Sequence, residues 1–73
     1  SEGCAICEIE APEEWIGRSV AEVGLRNRHS LNLIAARRGE HLHPVLDPAY
    51  IFVSGEHVLV LGSLDDIRKV TRD

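Results

Sequence analysis

Apolar and polar positions alternate from the start of the chain. In "AICEIEA", Ala5, Cys7, Ile9 and Ala11 fall on one side, and Ile6, Glu8 and Glu10 fall on the other. That period of two is the signature of a half-exposed strand, and Pro12 ends it. The period then lengthens. Ile16, Val20 and Val23 recur with helical spacing, Ser19 and Glu22 have the separation of a capping box, and Gly24 supplies a stop. These positions predict a short helix of two turns.

"LNLIAARR" reads as a second strand, Gly39-Glu40 as a tight turn, and "HLH" as the returning strand. "DPAY" and "SGEH" are turn signals. Between the second of these and Gly62 runs "VLVL", the composition of a central strand buried on both faces. "SLDD" then offers Ser63 as an N-cap, with Asp65 and Asp66 placed to complement a helix dipole. Leu64, Ile67 and Val70 supply that helix with an apolar stripe. The predicted order is β-α-β-β-β-α, an α+β domain with a mostly antiparallel sheet, without internal repeat, low-complexity tract or linker.

The hairpin carries a sharper expectation. A two-residue loop at Gly39-Glu40 sets Arg38 opposite His41, Arg37 opposite Leu42 and Ala36 opposite His43, and opposed residues share a face. Strict alternation then gathers Leu31, Leu33, Ala35, Arg37 and Leu42 on a core face. Asn32, Ile34, Ala36, Arg38, His41 and His43 gather on a donor-rich face. Three readings of that second face stand open: a seat for a second subunit, a seat for a phosphate-bearing ligand, or a solvated surface. A one-residue change of register would exchange the faces.

Length and charge narrow the classes. Seventy-three residues make one small domain, of a size that buries only about 60% of its unfolded surface and often leans on a disulfide, a metal or a partner. No apolar run approaches the length of a membrane span, and the acidic N-terminus does not read as a secretory signal. Met is absent, so residue 1 is not a native start. The chain is therefore expected to be a segment of a longer protein, with its extreme N-terminus partly linker or appended sequence.

The net charge of −4 hides an asymmetry. Residues 1–14 hold five acids and no base, whereas residues 15–43 hold five arginines and three histidines against two acids. A basic middle in an acidic chain suits a small anion better than DNA or RNA. Ion pairing with the acidic N-terminal segment would account for it equally.

Candidate chemistry is sparse. "CAIC" has the spacing of a redox or zinc motif, but it lies on a strand. An offset of three sends Cys4 and Cys7 to opposite faces, which leaves Cys7 as a small buried hydrophobe. His41 and His43 share a face, yet two ligands fall short of the three or four that zinc requires. A metal reading would add Cys4, His57 or a glutamate as a third. There is no G-x-S-x-G, P-loop or dinucleotide fingerprint, so no enzymatic activity is expected.

Taken in order, the motifs resemble the RCK-C domain, also called the TrkA C-terminal domain, of potassium channel and transporter regulators. Gly17-Arg18-Ser19-Val20 is similar to the family's helix start. Leu25-Arg26 and Asn32–Arg38 are similar to its Leu-Arg and Asn-Val-Ile-Ala-Ile-Arg-Arg segments, Pro44 and Asp47 to the Pro and Asp that follow. Gly55–Gly62 is similar to its closing Gly-Asp-x-Leu-x-Val-x-Gly strand, with Glu56 in place of the Asp.

The resemblance implies a cytoplasmic, homodimeric regulatory domain at the inner face of a membrane. It would act on a cation channel or transporter and often follow a Rossmann domain. Some members of the family bind cyclic di-AMP between two subunits. Carried over, Arg26, Asn32 and His41 would hold the nucleotide, with Val20, Leu33 and Pro48 as apolar lining. No cofactor is expected. The alternatives are a structural dimerisation module without a ligand and a metal-binding domain using His41, His43 and Cys4.

Overall fold

A computed structural model of the chain describes residues 3–71. The alternating segments form a four-stranded antiparallel sheet. Its strands are β1 (Cys4–Glu10), β2 (Asn32–Arg38), β3 (His41–Pro44) and β4 (His57–Ser63), in the order β1-β4-β2-β3. Helices α1 (Val20–Val23), α2 (Leu25–His29) and α3 (Leu64–Thr71), with a 3₁₀ turn at Glu13–Trp15, complete the α+β domain. The expected order of strands, the closing helix and the antiparallel sheet are all present, with two short helices where one was expected.

One face of the sheet carries the core. Val58 and Val60 of β4 are fully buried. Packed with them are Ile9 of β1, Ala36 of β2, Val23, Leu25 and Ile67 from the three helices, and the Trp15–Phe52 pair. The Trp15 and Phe52 rings lie 5.1 Å apart and tilted, so the two buried aromatics fill the centre. The opposite face bears Ile6, Glu8, Leu59, Leu61, Ala35 and Arg37. Here the expectation for "VLVL" needs correction. β4 is central in its pairing, but Leu59 and Leu61 are only half-buried, because all three helices bury their apolar residues on the Val58–Val60 side.

The helical region also departs from expectation. Ser19 accepts from the Glu22 amide and Glu22 receives the Ser19 amide, so the capping box forms at the expected site. Gly24 does end α1, in the left-handed conformation (φ 71°), but after a single turn. Its own carbonyl then accepts from the Arg28 amide at 2.7 Å, and α2 starts at once. Gly24 is both stop and hinge, which a pattern of helix terminators does not distinguish from a stop alone.

The hairpin register is as expected, with Arg38 opposite His41, Arg37 opposite Leu42 and Ala36 opposite His43. The faces are not. Leu33 pairs with Val60 and Ala35 with Leu59, leaving Ile34 as an extra residue whose carbonyl accepts from the Val45 amide at 3.0 Å. This bulge breaks the alternation. Beyond it Ala36 joins the core, and Ala35, Arg37 and Leu42 turn to the open face. Asn32 and His41 consequently lie on opposite sides of the sheet.

Candidate functional site

Because β3 pairs only with Ala35–Arg38, the edge of β2 at its first residues has no strand beside it. The chain leaving β3 folds back there. The Pro48 and Tyr50 carbonyls accept from the Ala21 and Val20 amides at 3.0 and 2.9 Å, which consumes the free donors of α1 and pins the Pro48 turn against it. Between α1, α2, the start of β2 and this turn lies an open cavity of about 470 Å³.

Its wall contains Val20, Arg26, Asn32, Leu33 and Pro48, five of the six residues singled out from the sequence. Arg26 Nε donates to Asn32 Oδ1 at 2.8 Å, which holds the guanidinium over the mouth. The guanidinium's terminal N–H groups and the Asn32 amide donors have no other hydrogen-bond partner among the described residues, and Arg26 is exposed. Asn32 and Leu33 point to opposite sides of β2, yet both reach the cavity because they flank its unpaired edge. The sixth residue, His41, is exposed on β3, diagonal to Ala36, and does not line the cavity.

Seven further lining residues were not singled out as site residues from the sequence, among them Asn27, Leu46 and Asp47. Asn27 follows Arg26 on α2. Leu46 stands at the rim with 89% of its surface exposed. Asp47 accepts the Ala49 amide at 2.9 Å to fix the turn. Asp47-Pro48 was legible as a turn, but nothing in its composition says that the turn closes a cavity.

The other basic residues divide. Arg37 makes a forked ion pair with Glu8 across the open face, at 2.8 and 2.9 Å, and His57 Nδ1 lies 3.3 Å from the same carboxylate. The Arg37 hydrogen bonds, against some opposing desolvation, hold Glu8 below the usual carboxylate range. Glu8 in turn raises Arg37. For Arg37, ion pairing with the acidic N-terminal segment is the outcome. Arg38 donates to Tyr50 Oη, which donates to Glu56 at 2.5 Å. Burial, then the Glu56 bond, pushes the Tyr50 phenol up.

The metal alternative is not assembled. Cys4 lies on edge strand β1, and His41 and His43 lie on β3 at the opposite edge. No group of three His, Cys, Asp or Glu side chains converges among the described residues. Cys4 and Cys7 are free thiols on opposite faces of β1, opposite Ser63 and Val60.

Comparison with known proteins agrees with the fold. Residues 5–73 match the TrkA-C domain. No curated protein matches the chain. Among solved structures, the RCK C domain of the potassium transport protein KtrA, in complex with cyclic diadenosine monophosphate, superposes with a TM-score of 0.79 at 24% identity, covering 90% of this chain and 78% of that one. The GsuK RCK domain gives 0.75 at 20% identity and the GsuK channel bound to NAD gives 0.76 at 20% identity. These cover 93% and 94% of this chain, which spans only 15% and 13% of theirs.

Proposed function

As the chain belongs to the TrkA-C domain family, the RCK-C domains, we propose that it is a regulatory domain of a potassium or other cation transport system, and that its α1–α2–β2 cavity receives cyclic di-AMP. One observation carries this reading: Arg26 and Asn32, bonded to each other at 2.8 Å, cap a cavity whose other walls include Val20, Leu33 and Pro48. Arginine forks two N–H donors onto phosphate oxygens, and the Asn32 amide adds donors for a phosphate or a base edge. The aliphatic side chains and the proline ring suit the flat face of an adenine.

The ligand has a two-fold axis, and so does a homodimer. In this reading each copy supplies one cavity to one half of the nucleotide, and His41 reaches it from the second copy. The exposed Leu46 at the rim is a natural contact for that copy. Ligand binding would favour one arrangement of the two subunits and so bias a membrane channel or transporter from the cytoplasm. The domain performs no catalysis in this reading and needs no cofactor.

A second reading, a structural dimerisation module without a ligand, draws on the same bond, since Arg26 and Asn32 already partially satisfy each other. Calorimetric titration with cyclic di-AMP at physiological salt separates the two. The sensing reading expects saturable heat with one nucleotide per two chains. Absence of heat with a dimeric sample would leave the structural module.

A further inference from the structure

Helix α2 borders a second cavity. Arg26 and Asn27 line the cavity already described, whereas Arg28 and His29, the next two residues, line a separate cavity of about 360 Å³ on the other side of the helix. Arg18 from the segment before α1 and Lys69 from the last turn of α3 complete its basic lining. The floor is apolar, made by Trp15, Val23 and Val70, with Trp15 only 3% exposed and its indole 6.1 Å from the His29 ring.

Four basic side chains from three separate parts of the fold thus border one concavity. Among the described residues, Arg18 and Arg28 have no carboxylate within ion-pair distance, and Lys69 has only Asp66 at a loose 3.8 Å. Glu14 is the one acid in the wall. Gathering unpaired like charges costs free energy unless a counter-charge enters.

From this we infer that the Trp15–Arg18–Arg28 cavity is an anion site for a small, multiply charged phosphate compound, distinct from the Arg26–Asn32 cavity. Two guanidinium groups supply forked donors that match phosphate oxygens. The volume admits a group the size of a diphosphate. An extended polyanion is disfavoured, because Glu14 lies in the wall with Glu13 beside it in the chain, and the chain carries a net charge of −4.

The only tryptophan of the chain forms the floor and serves as its own reporter. Inorganic pyrophosphate should change Trp15 fluorescence saturably at constant ionic strength, with sodium chloride as the control. Arg18→Gln and Arg28→Gln, both at exposed positions, should each weaken the response about tenfold, while Arg26→Gln leaves it unchanged. Backbone amide shifts on pyrophosphate addition should centre on Arg28, His29 and the end of α3. A response no different from chloride would overturn the inference. So would pyrophosphate binding that is lost with Arg26→Gln and kept with Arg28→Gln, since the anion would then sit in the other cavity.

Discussion

Arg26 Nε donates to Asn32 Oδ1 at 2.8 Å across the gap between α2 and β2, six residues apart in the chain. Arg26 is exposed and Asn32 half-buried, so the bond adds little to folding but fixes the direction of a guanidinium. Arg26→Gln and Asn32→Ala should therefore change the unfolding free energy by no more than about 0.5 kcal/mol. Each should weaken cyclic di-AMP binding about tenfold or more, because a charge-assisted or amide hydrogen bond to the ligand is lost. Calorimetry beside urea unfolding reads both quantities. A large stability loss with unaltered affinity would assign the pair a purely structural role.

His41 tests whether the site is shared. It lies outside the cavity of its own chain, so in a one-chain site His41→Ala would leave affinity unchanged. In a site formed by two copies it should lower affinity by several-fold to about tenfold. Sedimentation of the wild-type chain should show a dimer that cyclic di-AMP tightens. A monomer binding one nucleotide per chain would rule out the shared cleft.

The capping box governs the wall that carries Val20. Ser19 Oγ accepts the Glu22 amide at 3.0 Å, and Glu22 Oε1 accepts the Ser19 amide at 2.8 Å. Ser19→Ala removes an acceptor at a position 9% exposed, and should cost about 1 kcal/mol. In a domain of this size that lowers Tm by about 4–8 °C, measurable by thermal circular dichroism. Retention of the wild-type Tm would mean that the Tyr50 and Pro48 carbonyls hold α1 without the cap.

Much of this architecture was legible because its signals are local. Ser19 and Glu22 declare a cap, Gly39-Glu40 declares a two-residue loop, and the loop alone fixes Arg38 opposite His41. The sequence missed features that depend on neighbours far along the chain. Ile34 looks like any strand residue, and it becomes a bulge because Val45, eleven positions on, donates to its carbonyl. Trp15 and Phe52 sit in stretches without clear periodicity and meet only through the tertiary fold. Asn32 and Leu33 belong to opposite faces of an alternating strand. That both border one cavity follows from how short β3 is, which no pattern within β2 discloses.

Gly62 closes β4 against the chain that enters β2. A Cβ built there would stand 2.5 Å from Leu31 Cδ2 and 3.2 Å from the Ser30 carbonyl oxygen, and Leu31 is 1% exposed with no room to retreat. Gly62→Ala should therefore destabilise the domain by about 1–3 kcal/mol through overpacking. The Leu31→Val background, which withdraws the clashing methyl, should reduce that penalty without abolishing it, because the Ser30 carbonyl remains. Urea unfolding of the four proteins checks this. Strictly additive losses would show that the clash is relieved elsewhere.

The Glu8–Arg37 pair on the open face makes stability depend on pH in a defined direction. The forked hydrogen bonds from Arg37 hold the Glu8 carboxyl below its ordinary 4.5. In the unfolded chain that partner is lost and the carboxyl returns to the ordinary value. A carboxyl depressed on folding stabilises the native state at pH above its unfolded value, and that contribution disappears as pH falls through the folded value. The loss should accordingly begin near pH 4.5 and continue below it, with His57 beside the same carboxylate adding to the pull on Glu8. In carboxyl-carbon NMR titration, Glu8 should show a midpoint below 4.5 that rises toward 4.5 in Arg37→Gln. Melting curves between pH 6 and 3 should fall more steeply for the wild type than for Glu8→Gln, which has no carboxyl to protonate. Added salt should shrink that difference, because both side chains are about one-third exposed. A Glu8 midpoint at or above 4.5 in the folded wild type would mean that desolvation, the opposing influence, outweighs the arginine.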